Sequence, residues 1–222
     1  MENFNGLLSL ILAVVELIII LFLVFKAAKN KINTLSISLM RLLFAYQFVE
    51  FLICGLDMRT SLFAYFALLA VTFMPPLSLY ISLRLLNFNN RFYSFIFLPA
   101  IFFSIYYLFV VEEFAVTSCT VVYATYNYPL GFLYGLFYYL PILTTIIILG
   151  YNSYVSKISI NANLSEILFL GYTITFIPGF IFTRVVPGML EAAESVLCTF
   201  AFILFLFISY FVLKNKNQPN HS

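Results

Sequence analysis

Long apolar runs separated by short polar breaks dominate the pattern along this chain. Seven of them, 5–26, 34–55, 62–86, 92–111, 128–150, 164–184 and 189–213, are each long enough to cross a bilayer, which takes roughly 20 apolar residues in a helix. A membrane β-barrel would instead alternate apolar and polar positions. Stretches such as 10–15 and 200–207 do not alternate, so helices are the remaining way to satisfy backbone groups in lipid. The prediction is an all-α integral membrane bundle of seven transmembrane helices, one domain over residues 1–222.

Composition agrees. Hydrophobic residues make up 64% of the chain and charged residues 9%, against about 25% charged in soluble domains. The first run is read as an uncleaved helix and not a signal peptide. Glu2 precedes it, and its lysines follow, the reverse of a positive n-region. Charge also predicts orientation. With the N-terminus outside and the C-terminus inside, the cytoplasmic segments hold Lys26, Lys29, Lys31, Arg84, Arg91, Lys157, Lys214 and Lys216. The outer segments hold only Arg59 and Arg184, a strong positive-inside bias. The expected location is the cell membrane, multi-pass, with membrane lipid as a partner of these cations. Nothing points to nucleic acid.

The longest connection, 112–127, falls between the fourth and fifth spans and is expected as an outer polar loop carrying Cys119. No segment is long enough for a kinase, nucleotide-binding or DNA-binding domain, so a signalling role would need a separate partner. Small sugar transporters of the SWEET type share the topology, but their repeated proline motifs are missing here: the first span has no proline. Pro75 and Pro76 lie mid-span in the third helix. Proline removes a backbone hydrogen bond, so this pair is a candidate hinge. Gly131 and Gly135 form a small-xxx-small pair expected to pack against a neighbouring helix.

Ionisable residues inside a membrane are functional candidates by default. Glu16 and Arg41 lie on consecutive spans, and an intramembrane ion pair between them is expected. Gln47, Glu50 and Cys54 share one stripe of the second span, and Glu191, Glu194, Ser195 and Cys198 share one of the seventh, at helical spacings of three and four. Tyr134 and Tyr138 lie at the same depth in the fifth span. If the stripes face each other, Gln47, Glu50, Tyr134, Tyr138, Glu191 and Glu194 form an outward-opening polar pocket suited to a cation, a proton or a small polar ligand. Separate carboxylates bonded to nearby hydroxyls are the alternative. Cys54 and Cys119 both fall on the outer, oxidising side and are a disulfide candidate. Cys198 is expected to pack as a small apolar residue.

Other classes lose their markers. The sole histidine, His221, lies in the tail, so no metal site built on histidines is predicted, which argues against the zinc-binding seven-helix hydrolases. The seventh span has no lysine for a retinal linkage and no Asn-Pro-x-x-Tyr. The third ends Ser82-Leu83-Arg84, without the acid-arginine-tyrosine motif of class A G-protein-coupled receptors. The sequon Asn163-Leu164-Ser165 falls on the predicted inner side. No nucleophile–base or metal constellation is present, so the chain is read as no enzyme, with no cofactor.

Several segments carry a resemblance. Gly171-Tyr172 followed by Pro178, then Pro187-Gly188 and Glu194-Ser195-Val196-Leu197-Cys198, resembles small uncharacterised bacterial seven-helix membrane proteins. Gln47-Phe48-Val49-Glu50-Phe51 and Phe73-Met74-Pro75-Pro76-Leu77 fit the same pattern. These proteins are similar in layout to the seven-helix membrane sensor region of some histidine kinases. The resemblance implies a stand-alone receptor-like or sensor module. The alternatives are a small transporter or channel using intramembrane carboxylates, and a structural subunit of a membrane complex.

Overall fold

The computed structural model describes residues 6–88, 91–119, 124–155, 160–185 and 193–216, with the backbone alone at 91, 160–161, 180, 182–185 and 193–199. Seven helices are described: α1 Leu7–Lys26, α2 Lys31–Gly55, α3 Ser61–Leu85, α4 Leu98–Phe109, α5 Gly131–Val155, α6 Ile160–Val185 and α7 Ala193–Lys214. A 3-10 segment, Arg91–Phe97, leads into α4. Five helical segments among the described residues are long and apolar enough to cross a membrane: α1, α2, α3, Phe92–Phe109 and α5.

The helix ends follow local chemistry. Asn30 caps α2 by accepting the backbone N–H of Asn33, at 2.8 Å, and Thr60 caps α3 in the same way through Phe63. A side-chain oxygen at this position satisfies one of the orphan donors of a helix start.

α3 is the hub, packing on α2, α4, α5 and α6, while α7 contacts α1, α2 and α6 and so closes the bundle. α4 buries only Ala100, Phe103 and Tyr107 against α3 and the neighbouring aromatic residues. Outward faces are apolar: Ile18, Phe22 and Phe25 on α1, Phe102 and Phe109 on α4, and Phe132 and Leu140 on α5 are exposed. Apolar residues therefore cover the sides as well as the core, the reverse of a soluble helix with one polar face.

Close helix approach is set by glycine, though not by the expected pair. A Cβ on Gly171 would lie 2.7 Å from Cβ of Phe207, so α6 and α7 meet there. Gly135, in contrast, faces open space, and Gly131 meets only the Tyr128 ring at 3.5 Å. Among the described residues, the Gly131–Gly135 stripe packs against no other helix.

The two ends of the bundle differ. At one end, Asn33 donates to the carbonyls of Ala28 at 2.9 Å and Asn215 at 3.1 Å. Asn215 returns a bond to Asn33 Oδ1 at 2.9 Å, and Asn30 also donates to the Asn215 carbonyl. This asparagine clasp ties the end of α7 to the α1–α2 turn. The other end carries strands where the sequence predicts a polar loop. Residues 112–127 contain a two-stranded antiparallel hairpin, β1 Ala115–Cys119 and β2 Ala124–Asn127, with a bulge at Thr117. Threonine and serine hydroxyls knit it laterally, Thr117 and Ser118 each bonding Thr125 Oγ1, at 2.6 and 2.7 Å.

Candidate functional site

The hairpin end holds most of the predicted site residues. Cys54, at the last turn of α2, forms a disulfide with Cys119, at the end of β1, with Cα atoms 5.5 Å apart. One turn earlier on α2, Glu50 is buried, 1% exposed, and its carboxylate accepts the backbone N–H of Ala124 at 3.2 Å. Ala124 pairs with Cys119 across the hairpin. The two attachments, one covalent and one charge-assisted, therefore grip the hairpin at the same rung. Gln47, one further turn along α2, is also buried.

Glu50 and Gln47 are both buried, and the Glu50 carboxylate meets β2 at Ala124. The connection expected from sequence as a polar loop has strand-forming residues, Val116, Thr117, Thr125 and Tyr126, whose β-branched and aromatic side chains suit a pleated surface.

Beside the hairpin lies an aromatic cluster. Tyr128, just after β2, stacks on Phe114 with centroids 6.0 Å apart and meets Tyr107 and Tyr134 edge-on, at 5.9 and 5.6 Å. Tyr107 donates its hydroxyl to the Pro129 carbonyl, at 3.1 Å. Tyr134 is fully buried and Tyr138 nearly so, with centroids 6.1 Å apart. The hydroxyl of Thr72 donates to the Leu68 carbonyl at 2.7 Å and lies 3.0 Å from that of Tyr134. Thr72 has one proton to give, so Tyr134 is the donor to Thr72. This bond joins α5 to α3 one turn before Pro75 and Pro76.

The helix α3 runs through both prolines, which cannot bond to the carbonyls of Val71 and Thr72 four residues earlier. Beyond them, Ser78 bonds the Tyr172 hydroxyl, linking α3 to α6. The proline pair is therefore bracketed by two polar links to different helices.

Glu16 and Arg41 do not form the expected ion pair. Glu16 lies on the inward stripe of α1 with Ser9, Ala13, Ile20 and Leu23. It is fully buried, and neither carboxylate oxygen has a hydrogen-bond partner among the described residues. Arg41 is exposed and lines a groove with Val24, Ala27, Ala28 and Lys29, on the clasp side of Glu16. The helices are adjacent as expected, but the two side chains leave them on different faces.

α2 and α7 are neighbours, so the helices that carry the two polar stripes do meet. Glu191 lies outside the described residues, and Glu194, Ser195 and Cys198 are described by their backbone alone. Among the described residues, no group of three His, Cys, Asp or Glu side chains is placed to hold a metal ion. The clasp asparagines and the Phe114–Tyr128 cluster went unrecognised in the sequence. Asn30 and Asn33 stand at a helix start, and that capping signal was the available hint. No known protein family, curated protein or solved structure matches the chain.

Proposed function

We propose that the chain is a receptor-like or sensor module of the cell membrane, with the N-terminus and hairpin outside and the C-terminus and clasp inside. The observation that carries this reading is the hold of Glu50 on Ala124 beside the Cys54–Cys119 disulfide. A buried carboxylate whose partner is a backbone N–H of a surface hairpin is a contact that a ligand can replace. A small cationic or polar ligand entering under the hairpin would compete for Glu50, with Gln47, Tyr134 and Tyr138 around it. Glu194 on the neighbouring α7, and Glu191 just before it, would add a second acidic stripe.

Release of Ala124 would let the hairpin pivot on its disulfide. Tyr128 packs on Tyr134, so the movement would reach Thr72 and the proline pair in α3. A helix with two missing backbone bonds is the least costly place for the bundle to bend. The signal would pass to a separate partner at the inner face. Chemistry at the site is binding, with no catalytic step and no cofactor.

The test uses purified protein in nanodiscs, titrated with a panel of metal cations, polyamines and quaternary amines, and read by thermal shift. A ligand that raises the melting temperature of the wild type but not of Glu50→Gln supports the reading. Ligand-free ion flux in proteoliposomes that Glu50→Gln abolishes would overturn it in favour of a transporter or channel. One observation favours that second reading: Glu16, buried with neither oxygen bonded among the described residues, is a stopping point a conducted proton or cation would use. Co-purification as a fixed complex, with no response to any ligand, would point instead to a structural subunit.

A further inference from the structure

At the clasp end, a groove of about 150 Å³ runs between α1 and α2. Its walls include Leu23, Val24 and Ile37, and it carries two cations, Lys29 and Arg41. Arg41 lies ten residues into α2, about 15 Å along the helix, level with the exposed Val14, Leu17 and Ile18 of α1. Both Arg41 and Lys29 are exposed. Among the described residues, the ion pair present is Arg59 with Asp57, at the opposite end. Arg41 therefore sits on an apolar surface with no carboxylate in ion-pair contact among the described residues.

A guanidinium at membrane depth is costly unless paired. Two other cations at this end have aromatic company: Arg84 donates to the Tyr80 hydroxyl at 2.7 Å, and Lys214 lies over the Tyr210 ring. Arg41 instead has the groove. A guanidinium presents a planar fork matched to phosphate oxygens, and Lys29 adds a point charge at the groove mouth. The apolar walls suit an acyl chain.

We propose that this groove holds an anionic glycerophospholipid of the inner leaflet. Its phosphate would lie between Arg41 and Lys29, with one acyl chain packed against the exposed Val24. The site rests on the membrane-embedded reading with the clasp end inside, and it is independent of the Glu50 site.

Native mass spectrometry of the detergent-purified chain tests it, with phosphatidylglycerol, phosphatidylcholine and soluble glycerophosphate as probes. The expected result is retained phosphatidylglycerol with about tenfold preference over phosphatidylcholine, lost in Arg41→Gln and in Lys29→Gln. Arg41→Lys, which keeps the charge, should hold part of it and show that the fold survives. Equal retention of both lipids, or no effect of either glutamine variant, overturns the proposal. So does displacement by glycerophosphate, which would mark a free-anion site. Resistance of the wild type to carbonate extraction separates the outcomes: an extracted chain sinks the membrane reading, while a retained chain without lipid preference sinks the groove alone.

Discussion

Glu50 is the residue at which structure and proposed function meet, and conservative substitutions there separate its roles. Glu50→Ala removes the acceptor of the Ala124 N–H and leaves that donor buried under the hairpin. A loss of about 1–3 kcal/mol is expected, read as a lower melting temperature in nanodiscs. Glu50→Gln keeps a carbonyl oxygen at the same place and should cost less than half as much, while losing any cation response. Equal destabilisation by both would show that the charge, and not the hydrogen bond, holds the hairpin. Tyr134→Phe is the matching test on α5. It removes the proton that Tyr134 gives Thr72 but leaves the ring packing. About 1 kcal/mol should be lost, and a ligand response should weaken if this bond relays it. Glu50, Tyr134 and Tyr138 could be picked from sequence because polar groups at helical spacing inside apolar runs are conspicuous. The failed Glu16–Arg41 pair shows the limit. Depth follows from counting residues, but the direction of a side chain around an almost wholly apolar helix does not, since no polar face marks the outside.

Elements tell the same story through their contacts. The disulfide closes a separation of 65 residues between α2 and β1, so its loss should cost about 2–4 kcal/mol. Cys54→Ser, Cys119→Ser and the double variant should melt alike, because each breaks the same bond. Additive effects would mean that the cysteines act separately. Helix packing offers a paired control. Gly171→Leu must displace Phe207, whose Cβ lies 2.7 Å from the new side chain's first atom, and should cost about 1–3 kcal/mol through overpacking. Gly135→Ala meets nothing within 4 Å and should be neutral or stabilise by up to about 1 kcal/mol. Expression and melting temperature of the two variants check this. From sequence the glycines ranked the other way, because the Gly131–Gly135 spacing is visible whereas the approach of Phe207 to Gly171 depends on how α6 and α7 cross. Helix extents were far more legible. α1 and α3 begin and end within two residues of their apolar runs, since an apolar run must be helical to be tolerated in lipid. The hairpin escaped notice because two strands of five and four residues leave too short a pattern to rise above a polar loop.

For the whole molecule, orientation is the property on which both proposed sites depend, and two unrelated observations give the same answer. Lysines and arginines gather at the clasp end: Lys26, Lys29, Lys31, Arg84 and Lys214 lie at helix termini there. The proposed topology puts that end in the cytoplasm, where the positive-inside rule expects such a bias. The disulfide lies at the other end, where an oxidising compartment would preserve it. Charge bias acts during insertion and thiol oxidation afterwards, so their agreement is not one signal counted twice. If all seven helices cross, as proposed, the chain should start outside and finish inside. A fluorescent-protein fusion at the C-terminus should therefore glow, and an alkaline phosphatase fusion at the same place should be inactive. Single cysteines introduced at Ser61 and Lys31, in a background with Cys54, Cys119 and Cys198 replaced, give the finer test. An impermeant maleimide should label the first in intact cells and the second only after lysis. The reverse pattern would put Glu50 and its hairpin in the cytoplasm. The disulfide would then face a reducing medium, and an external ligand could not reach the site. Labelling at both positions in intact cells would mean mixed orientation, and replacing Lys26, Lys29 and Lys31 together should increase it if those charges set the topology.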